Sequence, residues 1–172
     1  MATTALNAAG GSKRRRGYIA IALISGLIGF VLGNAFWYLA SPLWIDVIVD
    51  EQLSGAATST ELVTGTFADA DSRHQGSGNA VIVEQATGER IVRFTEFAVT
   101  NGPDLEVWLV AHPDPKSKSD VLDAEWLSLG QLKGNIGDQN YPIPADAEIA
   151  KYQSVVIWCE QFGVLFSAAP LR

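Results

Sequence analysis

Residues 154–159 read Ser-Val-Val-Ile-Trp-Cys, the most hydrophobic run of the chain after its N-terminal forty residues. Alternate side chains of a β-strand point to opposite faces, and both faces of this run are apolar. Such a strand is central and buried in its sheet. Cys159 is the last residue of the run, directly before the polar Glu160, so its sulfur is expected where a buried strand emerges toward a turn. One face carries Val155, Ile157 and Cys159, and the other carries Val156 and Trp158.

A second run, residues 105–110, alternates in the same way. Leu105, Val107 and Leu109 share one face, opposite Glu106, Trp108 and Val110. Short β-branched or apolar runs separated by Gly- and Pro-rich turns predict an all-β domain, a β-sandwich or barrel-like fold, over residues 62–172. The remaining strands are expected at residues 62–67, 79–84, 90–94, 126–132 and 163–167, with a short helical turn around 146–152.

The N-terminal part has a different composition. A basic cluster at residues 13–16 precedes a stretch from Tyr18 to Ala40 without any charged residue. A helix of that length crosses the roughly 30 Å hydrocarbon core of a bilayer. Basic residues before the span place the N-terminus in the cytoplasm and the rest of the chain outside it. A cleaved signal peptide is the competing interpretation, but bulky residues stand at 37–39 where its cleavage site needs small ones.

The sequence therefore predicts a single-pass cell-membrane protein with an extracytoplasmic domain. We expect a cytoplasmic basic N-terminus at residues 1–17, a transmembrane helix at 18–40, a flexible linker at 41–61 and the β-domain at 62–172. Gly29 and Gly33 have the Gly-x-x-x-Gly spacing that lets two membrane helices approach closely, so a homodimer through this face is possible.

The charge of the chain argues against one class of partner. All 19 acidic residues follow residue 40, and the chain as a whole has a formal net charge of −7. Nucleic-acid binding depends on neutralising phosphates with cations, so no nucleic-acid partner is expected. An acidic surface of this kind is ordinary for an exported soluble domain.

Cys159 is the only cysteine of the chain. Cysteines outside the cytoplasm normally pair in disulfides, so a solitary one is a buried apolar residue, an intermolecular partner, or a reactive or metal-binding sulfur. Dithiol exchange within the chain is excluded because no Cys-x-x-Cys motif occurs. Glu160 next to it disfavours the thiolate, and no basic residue is close in sequence.

Two histidines are the other candidate ligands. His74 lies in a polar Gly-containing loop and His112 begins a Pro/Ser/Lys/Asp loop, where each is most simply a solvated or backbone-bonded side chain. A blue-copper site needs two His and one Cys, which His74, His112 and Cys159 could supply, although no His or Met follows Cys159 as in cupredoxins. Haem could bind only non-covalently, since the Cys-x-x-Cys-His motif is missing. The sequence thus leaves the metal and the cofactor undetermined, and it contains no hydrolase or transferase motif.

Five blocks follow one another in this order: Gly102-Pro103-Asp104-Leu105, residues 129–134, residues 137–144, residues 154–159 and residues 162–171. Together they resemble the electron-transfer DM-thirteen domain family, and the resemblance extends across nearly all of residues 62–172. The resemblance also includes His74 with its following glycines and the segment 94–97. It implies an extracytoplasmic β-rich module with a role in electron transfer, and the characteristic cysteine of the family corresponds to Cys159. In animal relatives this module accompanies haem-binding-type domains, and no second domain of that sort is apparent here.

We therefore expect a membrane-anchored domain with a redox or electron-transfer role through Cys159, with His74 as a supporting ligand and a redox protein as its partner. The alternative is a binding or adhesive β-sandwich without chemistry, in which Cys159 is buried and inert. Whether the protein is an enzyme stays open.

Overall fold

The computed structural model describes residues 4–41 and 44–172. They belong to two compact units, the first ending at Ser41 and the second beginning at Pro42. The first unit is one helix, α1, Thr4–Ala40. This helix includes all of residues 18–40, the expected transmembrane helix, and begins before them at Thr4. Its segment Arg14–Tyr38 is long and apolar enough to cross a membrane.

The second unit is a sandwich of two five-stranded sheets, which confirms the predicted all-β fold. Sheet I has the strand order β1-β8-β5-β4-β2, and sheet II has the order β3-β10-β9-β6-β7. Neighbouring strands are antiparallel except β1, which pairs in parallel with β8. The strands are β1 Ile48–Asp50, β2 Thr60–Thr66, β3 Ala68–Asp69, β4 Gly76–Glu84, β5 Arg90–Val99, β6 Leu105–Val110, β7 Trp126–Gln131, β8 Ile136–Ile143, β9 Ser154–Cys159 and β10 Val164–Pro170.

The main core fills the space between the two sheets. The alternation predicted for β6 and β9 is confirmed, and one face of each strand points into this core, with Leu105, Val107, Leu109, Val155, Ile157 and Cys159. Sheet I contributes an aromatic group around Phe94, whose ring centroid lies 4.8 Å from that of Phe97 and 5.2 Å from that of Tyr141. Tilted and edge-on ring contacts of this kind stabilise beyond their buried area.

A smaller core covers the outer face of sheet II. It contains Trp108, Val110, Val156 and Trp158, which lie on the opposite faces of β6 and β9. Val121 of the short helix α2, Lys118–Leu122, packs on them and is fully buried. Ser117 and Asp120 form a capping box at the start of this helix, which the sequence analysis did not predict. Around residue 150 only a single 3₁₀ turn forms, at Ile149–Lys151.

The prediction of a flexible linker over residues 41–61 was wrong for its middle part. Strand β1 pairs with β8 from Ile48 opposite Ile136 to Asp50 opposite Asp138. The Glu51 carboxylate then accepts hydrogen bonds from Lys133 Nζ, at 2.8 Å, and from the Asn140 amide, at 2.8 Å. These contacts come from residues more than eighty positions away, so the composition of the segment did not reveal them.

Candidate functional site

Cys159 ends the central strand β9, which lies between β10 and β6 in sheet II. Its backbone faces Val164 on one side and Leu105 on the other. The residue is 0% exposed, and its Sγ donates a hydrogen bond to the Pro103 carbonyl oxygen at 3.1 Å. The sulfur is thus enclosed at one end of the inter-sheet core.

Two backbone segments meet at this end of the core. The hairpin turn after Cys159 closes through a hydrogen bond from the Gly163 amide to the Cys159 carbonyl, at 2.9 Å. The Glu160 amide donates to the Asp104 carbonyl at 3.0 Å, which joins the turn to the loop containing Pro103. Asp104 has a positive φ of 52°, a conformation that Asp tolerates better than most residues. Its carboxylate accepts a hydrogen bond from Gln131 Nε2 at 3.3 Å.

The environment of the sulfur favours the protonated thiol. Burial raises the pKa of Cys159, and the nearby carboxylates of Asp104 and Glu160 raise it further. The backbone amides of Phe162 and Gln161 lower this pKa without reversing the shift. Since the thiolate is the nucleophile and the metal ligand, the enclosed sulfur is unreactive in this state.

His74 lies in the β3–β4 connection, and its hydrogen-bond partner is a carboxylate instead of the thiol. Its Nδ1 is 2.8 Å from Asp71 Oδ2. This hydrogen bond, together with the Arg73 and His74 backbone amides, lowers the pKa of Asp71 to about 2. The ring of His74 packs against Phe166, with centroids 4.4 Å apart. Phe166 belongs to the same core as Cys159, so His74 contacts the edge of that core.

The histidines and Cys159 do not assemble a metal site. In residues 4–41 and 44–172, no group of three or more His, Cys, Asp or Glu side chains could hold a metal ion. His112 Nδ1 accepts a hydrogen bond from the Asp114 amide at 3.2 Å, inside its own loop. The three-ligand copper arrangement considered from the sequence is therefore not formed. Its residue types are present, but the fold holds each in a different local network.

Three tryptophans form a second notable group, which the sequence analysis did not assemble. The rings of Trp126 and Trp108 are stacked, with centroids 4.0 Å apart and an interplanar angle of 11°. Trp108 and Trp158 follow with centroids 5.3 Å apart. Alternation separated Trp108 and Trp158 from the faces of Leu105 and Cys159, but the outward direction of these faces and the neighbouring order of β7, β6 and β9 were not available from local pattern.

Comparison with protein families gives a match to the Electron transfer DM13 model over residues 66–171. The matched range begins at the end of β2 and includes Cys159, His74 and the three tryptophans of sheet II. Neither the curated proteins nor the solved structures contain a match.

Proposed function

The chain belongs to the electron transfer DM13 family, and from that premise we propose that its β-sandwich has a redox function in which Cys159 is the reacting group. The observation that carries the proposal is the family match, which includes the single cysteine of the chain. His74, at the edge of the core that contains Cys159, is the supporting polar residue in this proposal.

The redox reactions available to Cys159 are limited because it is the only cysteine of the chain. Without a second cysteine, no disulfide forms within the chain. The thiol then has two reversible oxidised states that need no cofactor, a sulfenic acid and a mixed disulfide with an external thiol. A hydroperoxide transfers one oxygen to the sulfur and leaves as an alcohol or water. Two thiol equivalents then restore the reduced Cys159 and form a disulfide between themselves.

Access to the sulfur requires local opening. Residues 160–162, directly after Cys159, are exposed, and Phe162 has 63% of its surface accessible. The sulfur is hydrogen-bonded to the Pro103 loop, which the Glu160 amide in turn joins to this exposed hairpin. Turns at the ends of sheets open more readily than central strands. We take the enclosed thiol as the resting form and the opened hairpin as the reactive one.

Reversible oxidation of the native protein tests this function. The full chain in detergent micelles is treated with hydrogen peroxide, and a sulfenic-acid trap is added before mass analysis. We expect one trapped adduct, on the peptide containing Cys159, and its loss when a thiol reductant is added before the trap. The Cys159→Ala variant is the matched control and should give no adduct. A native protein that stays unmodified, while the denatured protein reacts, would rule out the redox role of Cys159.

A second function is favoured by one observation, the complete burial of Cys159. A binding or adhesive module at the membrane surface needs this cysteine only as an apolar filler. In that case Cys159→Ala changes the stability of the domain and leaves partner binding intact. Pull-down from an extracytoplasmic fraction with the wild-type and Cys159→Ala domains separates the two functions, because a redox partner captured through the sulfur is lost with the variant.

We also propose that α1 anchors the protein in the cell membrane, with the N-terminus in the cytoplasm and the β-sandwich outside. The supporting features are the apolar segment Arg14–Tyr38 and the basic residues that precede it. Protease added to intact cells should digest the sandwich and spare an N-terminal epitope tag. If the sandwich is protected from the protease in intact cells, the β-sandwich lies in the cytoplasm and the proposed topology is wrong.

Pairing of two copies through α1 is a further part of this proposal. Apart from the adjacent residues and backbone of α1 itself, nothing in the described chain lies within 4 Å of a Cβ placed on Gly29 or Gly33, so this face has room for a second helix. Gly29→Cys in a Cys159→Ala background should form an oxidative crosslink in membranes. A matched cysteine on the opposite helix face, Val31→Cys, should not. Equal crosslinking at the two positions would remove the Gly-x-x-x-Gly interface.

A further inference from the structure

The outer face of sheet II places Trp126, Trp108 and Trp158 in a row across three neighbouring strands. In the sheet register, Val110 faces Trp126 on β7, and Trp108 faces Val156 on β9. Trp108 is therefore the diagonal neighbour of both other tryptophans, and its ring contacts both.

The row runs from the surface into the protein. Trp126 is 44% exposed, whereas Trp108 and Trp158 are 2% and 1% exposed. The parallel stack of the first pair, at 4.0 Å between centroids, brings the two π-systems into direct contact. Indoles are among the side chains that lose one electron most easily, and stacked rings exchange electrons by direct orbital overlap. An oxidant therefore meets the exposed end of a continuous indole path.

A proton acceptor is placed at the buried middle ring. Trp108 Nε1–H donates a hydrogen bond to Glu106 Oε2 at 2.7 Å. The same oxygen accepts a hydrogen bond from Ser128 Oγ at 2.8 Å, which fixes the carboxylate in position. An indole that has lost an electron becomes a strong acid at Nε1. A carboxylate within hydrogen-bond reach can take this proton.

We propose that Trp126, Trp108 and Trp158 form a one-electron relay from the surface to the buried strand β9, with Glu106 as the proton acceptor of Trp108. This function goes beyond the thiol chemistry of Cys159 and does not depend on it. The redox partner at the surface is a strong one-electron oxidant, such as a peroxide-derived radical.

The relay proceeds in balanced steps. The oxidant removes one electron from Trp126 and is itself reduced. An electron from Trp108 refills Trp126, and the Nε1 proton of Trp108 moves to Glu106, which leaves a neutral indolyl radical beside a neutral carboxylic acid. Trp158, in contact with Trp108, is the inner end: when it gives an electron to this radical, the proton returns from Glu106 to Trp108 Nε1 and Trp158 becomes the oxidised ring. The reverse electron transfer restores the Trp108 radical and the protonated Glu106. An ascorbate- or phenol-type donor returns one electron through Trp126, and the proton moves back from Glu106.

Flash photolysis of the full chain in detergent micelles tests the relay. Trp37 and Trp44 are first replaced by Phe, which leaves the three tryptophans of sheet II out of the five in the chain. A photo-oxidised ruthenium polypyridine is the one-electron oxidant, and transient absorption and freeze-quench electron paramagnetic resonance detect the radicals. We expect a long-lived neutral tryptophan radical in this parent protein.

Three variants identify the steps. Trp126→Phe, at a half-exposed position where folding should be retained, is expected to abolish the long-lived radical. Trp108→Phe should leave only a short-lived radical at exposed Trp126. Glu106→Gln should yield the protonated radical cation in place of the neutral radical. Near-ultraviolet circular dichroism checks each fold, and the Trp126 and Glu106 variants suffice if Trp108→Phe fails to fold.

The relay is overturned if Trp126→Phe leaves the long-lived radical unchanged, because the oxidant then reaches the interior without the surface tryptophan. It is equally overturned if Trp108→Phe gives the same radical as the parent protein. A Cys159→Ala variant with an intact long-lived radical would separate this relay from the thiol function. Loss of the peroxide-dependent adduct at Cys159, with the radical intact, would refute only the thiol function.

Discussion

At the residue scale, the burial of Cys159 opposes the reactivity that the proposed redox function needs. Its burial among apolar side chains stabilises the core, and the same burial keeps the sulfur protonated and unreactive. The sequence predicted that Cys159 ends a buried strand directly before a turn. It could not predict the hydrogen bond to Pro103, because that contact joins residues 56 positions apart. His74 was assigned correctly to a polar loop, but its pairing with Asp71 and Phe166 emerged only in the fold.

The raised pKa of Cys159 predicts a pH dependence of stability. The unfolded thiol loses its proton near its ordinary pKa, about 8.5, whereas the folded thiol keeps the proton to higher pH. The stabilisation is therefore complete below about pH 8.5 and is lost as the pH rises toward the folded pKa. Denaturant unfolding between about pH 7 and 10 should show a falling free energy of unfolding in the wild type. Cys159→Ala should remove that part of the slope, and an unchanged slope in the variant would contradict the assignment.

The apolar surroundings of Cys159 predict the effect of a polar replacement. Cys159→Ser puts a hydroxyl in the place of the sulfur, at a cost of about 1–3 kcal/mol of unfolding free energy. The cost should fall near the lower limit because the hydroxyl can still donate to the Pro103 carbonyl. Chemical denaturation of the two proteins measures it, with Ser72→Ala as an exposed control that should stay within about 0.5 kcal/mol of the wild type. A Cys159→Ser protein as stable as the wild type would show that the site admits water.

At the element scale, the strands differ in how far local pattern reveals them. Strands β6 and β9 were predicted at their observed bounds because their alternation and apolar content are strong. Strand β8 was missed because it contains Gly137, Gln139 and Pro142. Gln139 is nevertheless fully buried, since its side-chain amide donates to the Gly134 carbonyl at 2.8 Å and its oxygen accepts from Tyr141 Oη at 2.6 Å. Hydrophobic periodicity does not reveal such side-chain hydrogen bonds, although both partners lie within five residues of Gln139.

The docking of β1 depends on a close backbone approach that only glycine permits. Gly137 has a φ of 101°, and a Cβ there would collide with the Val49 carbonyl oxygen. Gly137→Ala should therefore cost more than the backbone strain alone, which is about 1–2 kcal/mol, and should detach β1. Hydrogen exchange at the Glu51 amide, which donates to the Asp138 carbonyl at 3.0 Å, reports the detachment.

Gly88→Ala is the matched control for this substitution. Its φ of 82° is also left-handed, but nothing lies within 4 Å of an added Cβ. It should lose stability from strain and leave exchange at Glu51 unchanged. If the Glu51 amide exchanges at the same rate in both variants, the close approach at Gly137 does not hold β1 in place.

At the scale of the whole molecule, the folded domain is larger than its matched family region. The DM13 match begins at residue 66, whereas sheet I also includes β1 and most of β2 from the preceding residues. The sequence predicted the sandwich, the apolar N-terminal helix and the family correctly. It placed the start of the folded domain too late, at residue 62, because the three residues of edge strand β1 carry too little local signal.

The buried thiol of Cys159 can react only when the domain opens, either as a whole or locally. Opening of the whole sandwich would expose Cys159 together with the inner face of β9, whereas opening of the 160–163 hairpin exposes the sulfur alone. The two routes differ in the surface that they expose, and so in their sensitivity to denaturant. The redox function proposed for this domain requires the second route.

Thiol labelling of the native full chain at increasing denaturant concentration distinguishes the two routes most directly. Labelling of Cys159 is predicted to be faster than global unfolding allows and almost insensitive to low denaturant. Val155→Cys in a Cys159→Ala background places a thiol on the same inward face of the fully buried strand β9, and it should label only through global unfolding. Identical labelling rates and denaturant dependence at the two positions would contradict the redox function, because Cys159 would then be reached only when the whole domain unfolds.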